Sequence, residues 1–174
     1  MKLSKSIVDQ VEASAVRRVL CEDGYLGMGS EVGLFESELE IYLGLQQNSV
    51  ACVSSGTAAL HLALESIIKP GDEVLVPSLT YVATYQAIIA AGGKPVSCDI
   101  DEHSWTISLD NVKEKITKKT KAIVFVHYAS NPMYLDEILE FARVRGIRVV
   151  EDAAHSFGCV IDNSIIGSKG DLIC

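Results

Sequence analysis

The sequence predicts an α/β fold of three layers, with helices packed on both faces of a mainly parallel sheet. Three observations carry that expectation. From residue 50 onward, short β-branched runs alternate with helical patterns; strands joined through such crossovers run parallel. The 174 residues are 48% hydrophobic, enough to stock one sizeable core. Polar residues capable of chemistry collect directly after the strands, which is the edge of a parallel sheet where ligands bind.

In chain order, residues 6–22 read as a helix opened by a Ser6/Asp9 capping box. Residues 31–43 read as a second helix, ended by Gly44. The glycines of the intervening loop (Gly24, Gly27, Gly29) lie between helices rather than after a strand and lack the dinucleotide spacing. That loop is either a plain interhelical connection or part of an active-site entrance. Strands are expected at 50–53, 73–76, 95–98, 122–126 and 147–151, and helices at 58–68, 81–91, 109–118 and 135–145. This divides the chain into a helical segment at residues 1–48 and a sheet domain at 49–174.

The formal net charge of -8 argues against nucleic acid or an anionic membrane as partner, because both require clustered Lys and Arg. No signal-peptide core and no spanning stretch occur, so a cytoplasmic location is expected. Cys21, Cys52, Cys98, Cys159 and Cys174 are odd in number and scattered; they signal neither a disulfide framework nor a zinc site and are expected to be mostly buried thiols.

The turn Ser54-Ser55-Gly56-Thr57-Ala58-Ala59 opens a helical pattern. The first turn of a helix leaves N–H groups without partners and carries partial positive charge, so a small, hydroxyl-rich turn suits a phosphate. It suits an ordinary N-cap equally. Downstream loops add Ser78, Thr80 and Tyr81, then Asp99 and Asp101, then His127 to Pro132, then Asp152 to His155. Asp152 follows the apolar run Ile147, Val149, Val150 and should be largely buried. A buried carboxylate needs a cation or several donors, and a protonated heterocycle would serve.

Four blocks in order, SSGTAALHLAL, PSLTYVATYQAIIAAGGKPV, HYASNP with LDEI, and EDAAHSFG, resemble the DegT-like sugar aminotransferases, which are fold-type-I pyridoxal-phosphate (PLP) enzymes. The resemblance runs from about the second helix to the last residue. It implies the large domain of that fold, PLP as cofactor, and transfer of an amino group from glutamate to a nucleotide-linked keto-deoxysugar. Gly56, Thr57 and Ala58 match the turn that binds the PLP phosphate, and Tyr81 matches the aromatic that stacks on the ring. Asp152 matches the carboxylate that pairs with the pyridinium nitrogen, with His155 as its supporting donor; these two carry the catalytic roles. Asn131 is a candidate for a hydrogen bond to the ring's phenolic oxygen, and His127 for packing beneath the ring.

The sequence also departs from the family. Ser130 stands where a glycine is usual. The lysine that carries PLP lies in a block that follows a Gly-Asp pair, and Gly170-Asp171 matches only the start of that block; Lys169 precedes the pair and reads as an exposed turn lysine. The resemblance therefore implies the N-terminal, cofactor-binding part of such an enzyme, without the lysine block or the C-terminal domain and inactive alone. It also implies a homodimer, or pairing with a complementary chain. The other readings are a PLP-dependent sugar dehydratase of the same family, in which histidine replaces the lysine, and a non-catalytic binding fragment.

Overall fold

The computed structural model describes residues 7–27 and 29–174. They fall into two compact units, divided between Cys52 and Val53.

In the first unit, α1 (Gln10–Arg18) is opened by Asp9, whose carboxylate accepts the Val11 N–H, while Glu12 reaches back to the Asp9 N–H. The capping box is therefore Asp9 with Glu12; Ser6, its expected first member, lies outside the described residues, as does Met28 of the glycine loop. The helix runs on as a π-helical turn at Val19–Asp23 and stops at Gly24, which takes the left-handed conformation (φ 66°). A second helix, α2 (Ser30–Leu43), stops at Gly44 in the same way.

The strand expected at residues 50–53 is not formed. Two carboxylates of α2 take the backbone donors a ladder would need: Glu40 accepts the N–H groups of Ser49 and Val50, and Glu36 accepts that of Cys52. A β-branched run signals extended backbone, and here that backbone bonds side chains rather than a neighbouring strand.

The second unit holds the sheet. Its elements are α3 (Gly56–Ile67), β1 (Glu73–Pro77), α4 (Val82–Ala90), β2 (Lys94–Cys98), α5 (Leu109–Lys115), β3 (Thr120–Val126), α6 (Leu135–Arg143), β4 (Arg148–Asp152), the hairpin β5 (Val160–Ile161) and β6 (Ser164–Ile165), and β7 (Leu172–Ile173). The main sheet has the order β2-β1-β3-β4-β7, every pair parallel. The chain moves from β1 outward to β2, then crosses back over β1 to β3, which makes the β1/β3 boundary the point where ligands collect in such sheets.

Strand parity sorts the core into two clusters. Val74, Val76, Val124 and Val150 pack with Leu60, Leu64 and Ile88 of α3 and α4. Leu75, Ile123, Phe125 and Val149 pack with Val112 and Ile138 of α5 and α6. Fully buried side chains such as Leu64, Ile88 and Ile138 each contribute about 1.5–3 kcal/mol.

Helix α5 ends three residues before the expected 118, because the backbone turns extended at Ile116 and the Thr120 hydroxyl accepts the Thr117 N–H. The hairpin at Asp162 and Asn163, both left-handed (φ 49° and 61°), was not expected. Among the described residues no helix is long and apolar enough to cross a membrane.

Candidate functional site

Because Val150 faces α3 and α4, parity turns Asp152 to that same face and Glu151 to the opposite one. Asp152 is 8% exposed. Its Oδ2 accepts the hydroxyl of Thr84 at 3.1 Å and its Oδ1 accepts the Ala154 N–H at 3.3 Å. Thr84 is itself fully buried on α4 and shares a 2.8 Å bond with the Thr80 hydroxyl. A carboxylate offers about four acceptor sites, so these two donors leave capacity for a cationic N–H. Sequence reasoning missed Thr84; the available signal was a hydroxyl one turn beyond Tyr81, in the apolar run that α4 buries.

At the start of α3, Ser55 caps the helix by accepting the Ala58 N–H at 3.2 Å. No hydrogen bond among the described residues takes the N–H groups of Gly56 and Thr57, and nothing lies within 4 Å of the place a Cβ would occupy on Gly56. The Ala58 N–H, expected to face a phosphate, is thus taken by the cap, and the open donors are those of Gly56 and Thr57.

One cavity of about 530 Å³ joins these features; its wall includes Gly56, Thr57, Tyr81, Val126, Asp152 and His155. Tyr81 is 76% exposed at the N-terminus of α4, so it is not a core aromatic. A larger groove of about 620 Å³ lies along α6, β4 and the turn before β7. Its six charged residues already form three ion pairs, Lys169–Asp136, Arg148–Asp171 and Arg143–Glu140. That leaves the smaller cavity as the place with open donors and an under-supplied carboxylate. Lys169 stands exposed in a turn, its ammonium 2.7 Å from Asp136 and outside the cavity wall.

The remaining expected residues are distributed as follows. His155 lines the cavity but is exposed and makes no hydrogen bond to Asp152; its ring forms a T-shaped contact with Tyr128, centroids 6.3 Å apart. Asn131 is outside the wall, its amide donating to the Ser104 carbonyl (2.9 Å) and accepting from the Met133 N–H (3.0 Å). His127 also lines the cavity, while its ring sits edge-on to Phe125 at 5.0 Å and its Nε2 lies 2.5 Å from Glu151.

Glu151, also missed, is fully buried and accepts the backbone N–H groups of Lys169 and Gly170 as well as bonding His127. It clamps the turn that feeds β7. Glycine is required at 170, where a Cβ would come within 2.9 Å of the Glu151 side chain and 3.1 Å of the Val149 carbonyl.

Of the five cysteines only Cys98 is fully buried; Cys21 and Cys52 are exposed, so the expectation of mostly buried thiols does not hold. Cys174 lines the cavity, and burial, helped by the nearby Asp152 charge, pushes its thiol up to about 11.

Open helix-terminal donors suit a phosphate, Asp152 suits a protonated ring nitrogen, and the space between them is walled largely by apolar groups. PLP fits that donor set, and the parallel sheet with its helical layers is the large-domain fold of the fold-type-I PLP enzymes. Within that class, the chain belongs to the DegT/DnrJ/EryC1/StrS aminotransferase family, whose model matches residues 6–174. It is 34% identical over 173 residues to dTDP-4-dehydro-2,3,6-trideoxy-D-glucose 4-aminotransferase of Saccharopolyspora spinosa, covering 99% of this chain and 45% of that protein. It is 43% identical over 131 residues to GDP-perosamine synthase of Escherichia coli O157:H7, covering 73% of this chain and 36% of that one. Among solved structures, the E. coli GDP-4-keto-6-deoxy-D-mannose-3-dehydratase with bound hydrated PLP superposes with a TM-score of 0.86 at 30% identity, over 97% of this chain and 44% of the other. The chain thus spans less than half the length of these relatives.

Proposed function

We propose that this chain is the cofactor-binding part of a PLP-dependent aminotransferase that acts on a nucleotide-linked keto-deoxysugar, with glutamate as amino donor and a homodimer as the working form. The observation that carries this reading is the buried Asp152, which among the described residues is held by two donors, in one cavity with the N–H groups of Gly56 and Thr57 that no described residue accepts. Those N–H groups and the Thr57 hydroxyl hold the phosphate, Tyr81 covers the ring, and Asp152 keeps a proton at the ring nitrogen. Thr84 fixes the orientation of Asp152. His155, at the rim, contacts the ligand directly rather than through Asp152, and Asn131 acts by tying its loop to Ser104. When bound, PLP supplies the electron sink for carbanion chemistry.

A dehydratase is the second reading, favoured by the likeness to the E. coli structure. Product analysis on the full-length protein separates the two, since transamination leaves an amino sugar and dehydration leaves a sugar short of one oxygen. In the same assay Asp152→Asn is expected to retain PLP loosely and to lose most turnover. Near-wild-type turnover in that variant contradicts the assignment of Asp152.

A further inference from the structure

Trp105 is the single tryptophan of the chain. It is 51% exposed, and its ring lies against Tyr128 with centroids 5.6 Å apart. Tyr128 in turn makes the T-shaped contact with His155, and both Tyr128 and His155 line the cavity. Three rings therefore run without a break from the cavity wall out over its rim.

The backbone beneath them is held in a conformation that side-chain-bearing residues seldom adopt. Trp105, Ala129 and Ser130 all have positive φ (62°, 52° and 63°). Such outliers persist only where the surroundings fix them, and here the fixings are explicit. The Trp105 N–H donates to the Asp101 carbonyl at 2.8 Å and its indole N–H to the Glu102 carbonyl at 3.1 Å. The Ser130 hydroxyl donates to the His155 carbonyl at 2.6 Å, and Thr106 and Asn131 tie the loop after β2 to the loop after β3. Two loops from different strands are thus cross-linked so that an indole and a phenol meet at the mouth of the site, with the indole left half in solvent. Core packing does not account for that arrangement.

We propose that Trp105, Tyr128 and His155 form a stacking rim for the heteroaromatic base of the nucleotide-linked substrate. The proposal rests on the function proposed above. A stacking surface accepts any base, because every base presents a π-face; this accords with relatives that are named for dTDP- and GDP-linked sugars.

Calorimetric titration of the PLP-loaded protein with dTDP and with GDP, using pyrophosphate as a control that has no base, tests the rim. Trp105→Leu is expected to weaken both nucleotides roughly five-fold or more and to leave pyrophosphate binding unchanged. Trp105→Phe, which keeps a ring, restores most of the affinity. The emission present in the wild type and missing from Trp105→Phe is quenched saturably by either nucleotide. Unchanged nucleotide affinity in Trp105→Leu overturns the proposal, as does equal weakening of pyrophosphate, or a protein that binds PLP but neither nucleotide. PLP binding, read from cofactor absorbance, tests the underlying reading separately: a protein that binds PLP yet shows no dependence on Trp105 keeps the proposed function and loses the rim.

Discussion

Replacing Glu151 with alanine is expected to destabilise the protein by about 3–5 kcal/mol, because it leaves three buried or half-buried hydrogen-bonding groups without the carboxylate they share. The magnitude follows from what the carboxylate holds. Glu151 is fully buried and receives three donors: His127 Nε2 at 2.5 Å, the Lys169 N–H at 2.8 Å and the Gly170 N–H. Hydrogen bonds to a charged group are worth about 1.5–3 kcal/mol each, and all three donors lose their acceptor at once. Water entering the vacated space recovers part of the loss, which keeps the total below three independent bonds. Against a usual stability of about 5–15 kcal/mol this is a large fraction. With a urea slope of about 2 kcal/mol per molar, the unfolding midpoint should fall by about 1.5–2.5 M, measured by far-ultraviolet circular dichroism. Glu151→Gln keeps the volume and one acceptor oxygen but turns an NH₂ toward existing donors, so it should lose about 1–3 kcal/mol. In both variants amide hydrogen exchange should quicken first at Asp171 and Cys174, whose N–H groups bond the carbonyls of Val149 and Glu151. A cost below about 1 kcal/mol for the alanine variant would refute the reasoning, because it would mean that the buried carboxylate is not what holds the turn into β7.

Burial pushes the Cys98 and Cys174 thiols up to about 11, so at pH 8 both should react with a thiol reagent far more slowly than the exposed Cys21 and Cys52; equal rates at all four would contradict the burial. The Thr117 hydroxyl, 2.6 Å from Glu73, holds that carboxyl below its ordinary 4.5, with Lys94 adding to the effect. Its contribution to stability is therefore present above pH 4.5 and lost as pH falls through the lowered folded value, so Glu73→Gln should flatten the acid limb of the stability curve and leave its slope above pH 6 unchanged. Ser130→Gly and Ser130→Ala both lose the bond to the His155 carbonyl, but only glycine relieves the left-handed φ of 63°; the glycine variant should be more stable by about 1 kcal/mol and melt higher, and the reverse order would contradict the strain.

The parallel sheet was legible because β1, β3 and β4 are short β-branched runs separated by helix-length patterns, and those signals come from the buried residues themselves. Residues 50–53 carry the same β-branched signal and form no strand. What decides that segment is a pair of carboxylates on α2, more than eight residues away in the chain, which no local pattern encodes. At the site, Asp152 was legible because a carboxylate at the end of an apolar strand is costly without a partner. Thr84 and Glu151 were not. One is a hydroxyl in a helical run that tolerates threonine, and its bond to Asp152 spans 68 residues. The other reads from sequence as the polar end of a strand, and only the parity of β4 against β3 places it on His127. Ser130 shows the opposite case: its departure from the family's glycine was visible in the sequence, and the left-handed backbone found there explains why glycine is usual.

Equilibrium binding of PLP, followed by cofactor absorbance, tests most directly whether the cavity between α3 and Asp152 is the cofactor site. One PLP per chain is expected. Removing a charge-assisted partner costs about 1.5–3 kcal/mol, so Asp152→Asn should weaken binding roughly ten-fold or more, and Thr57→Val should weaken it by a smaller factor through the phosphate. Inorganic phosphate should compete with PLP in the wild type. Saturable binding with wild-type affinity in Asp152→Asn, or binding that phosphate does not displace, would contradict the assignment.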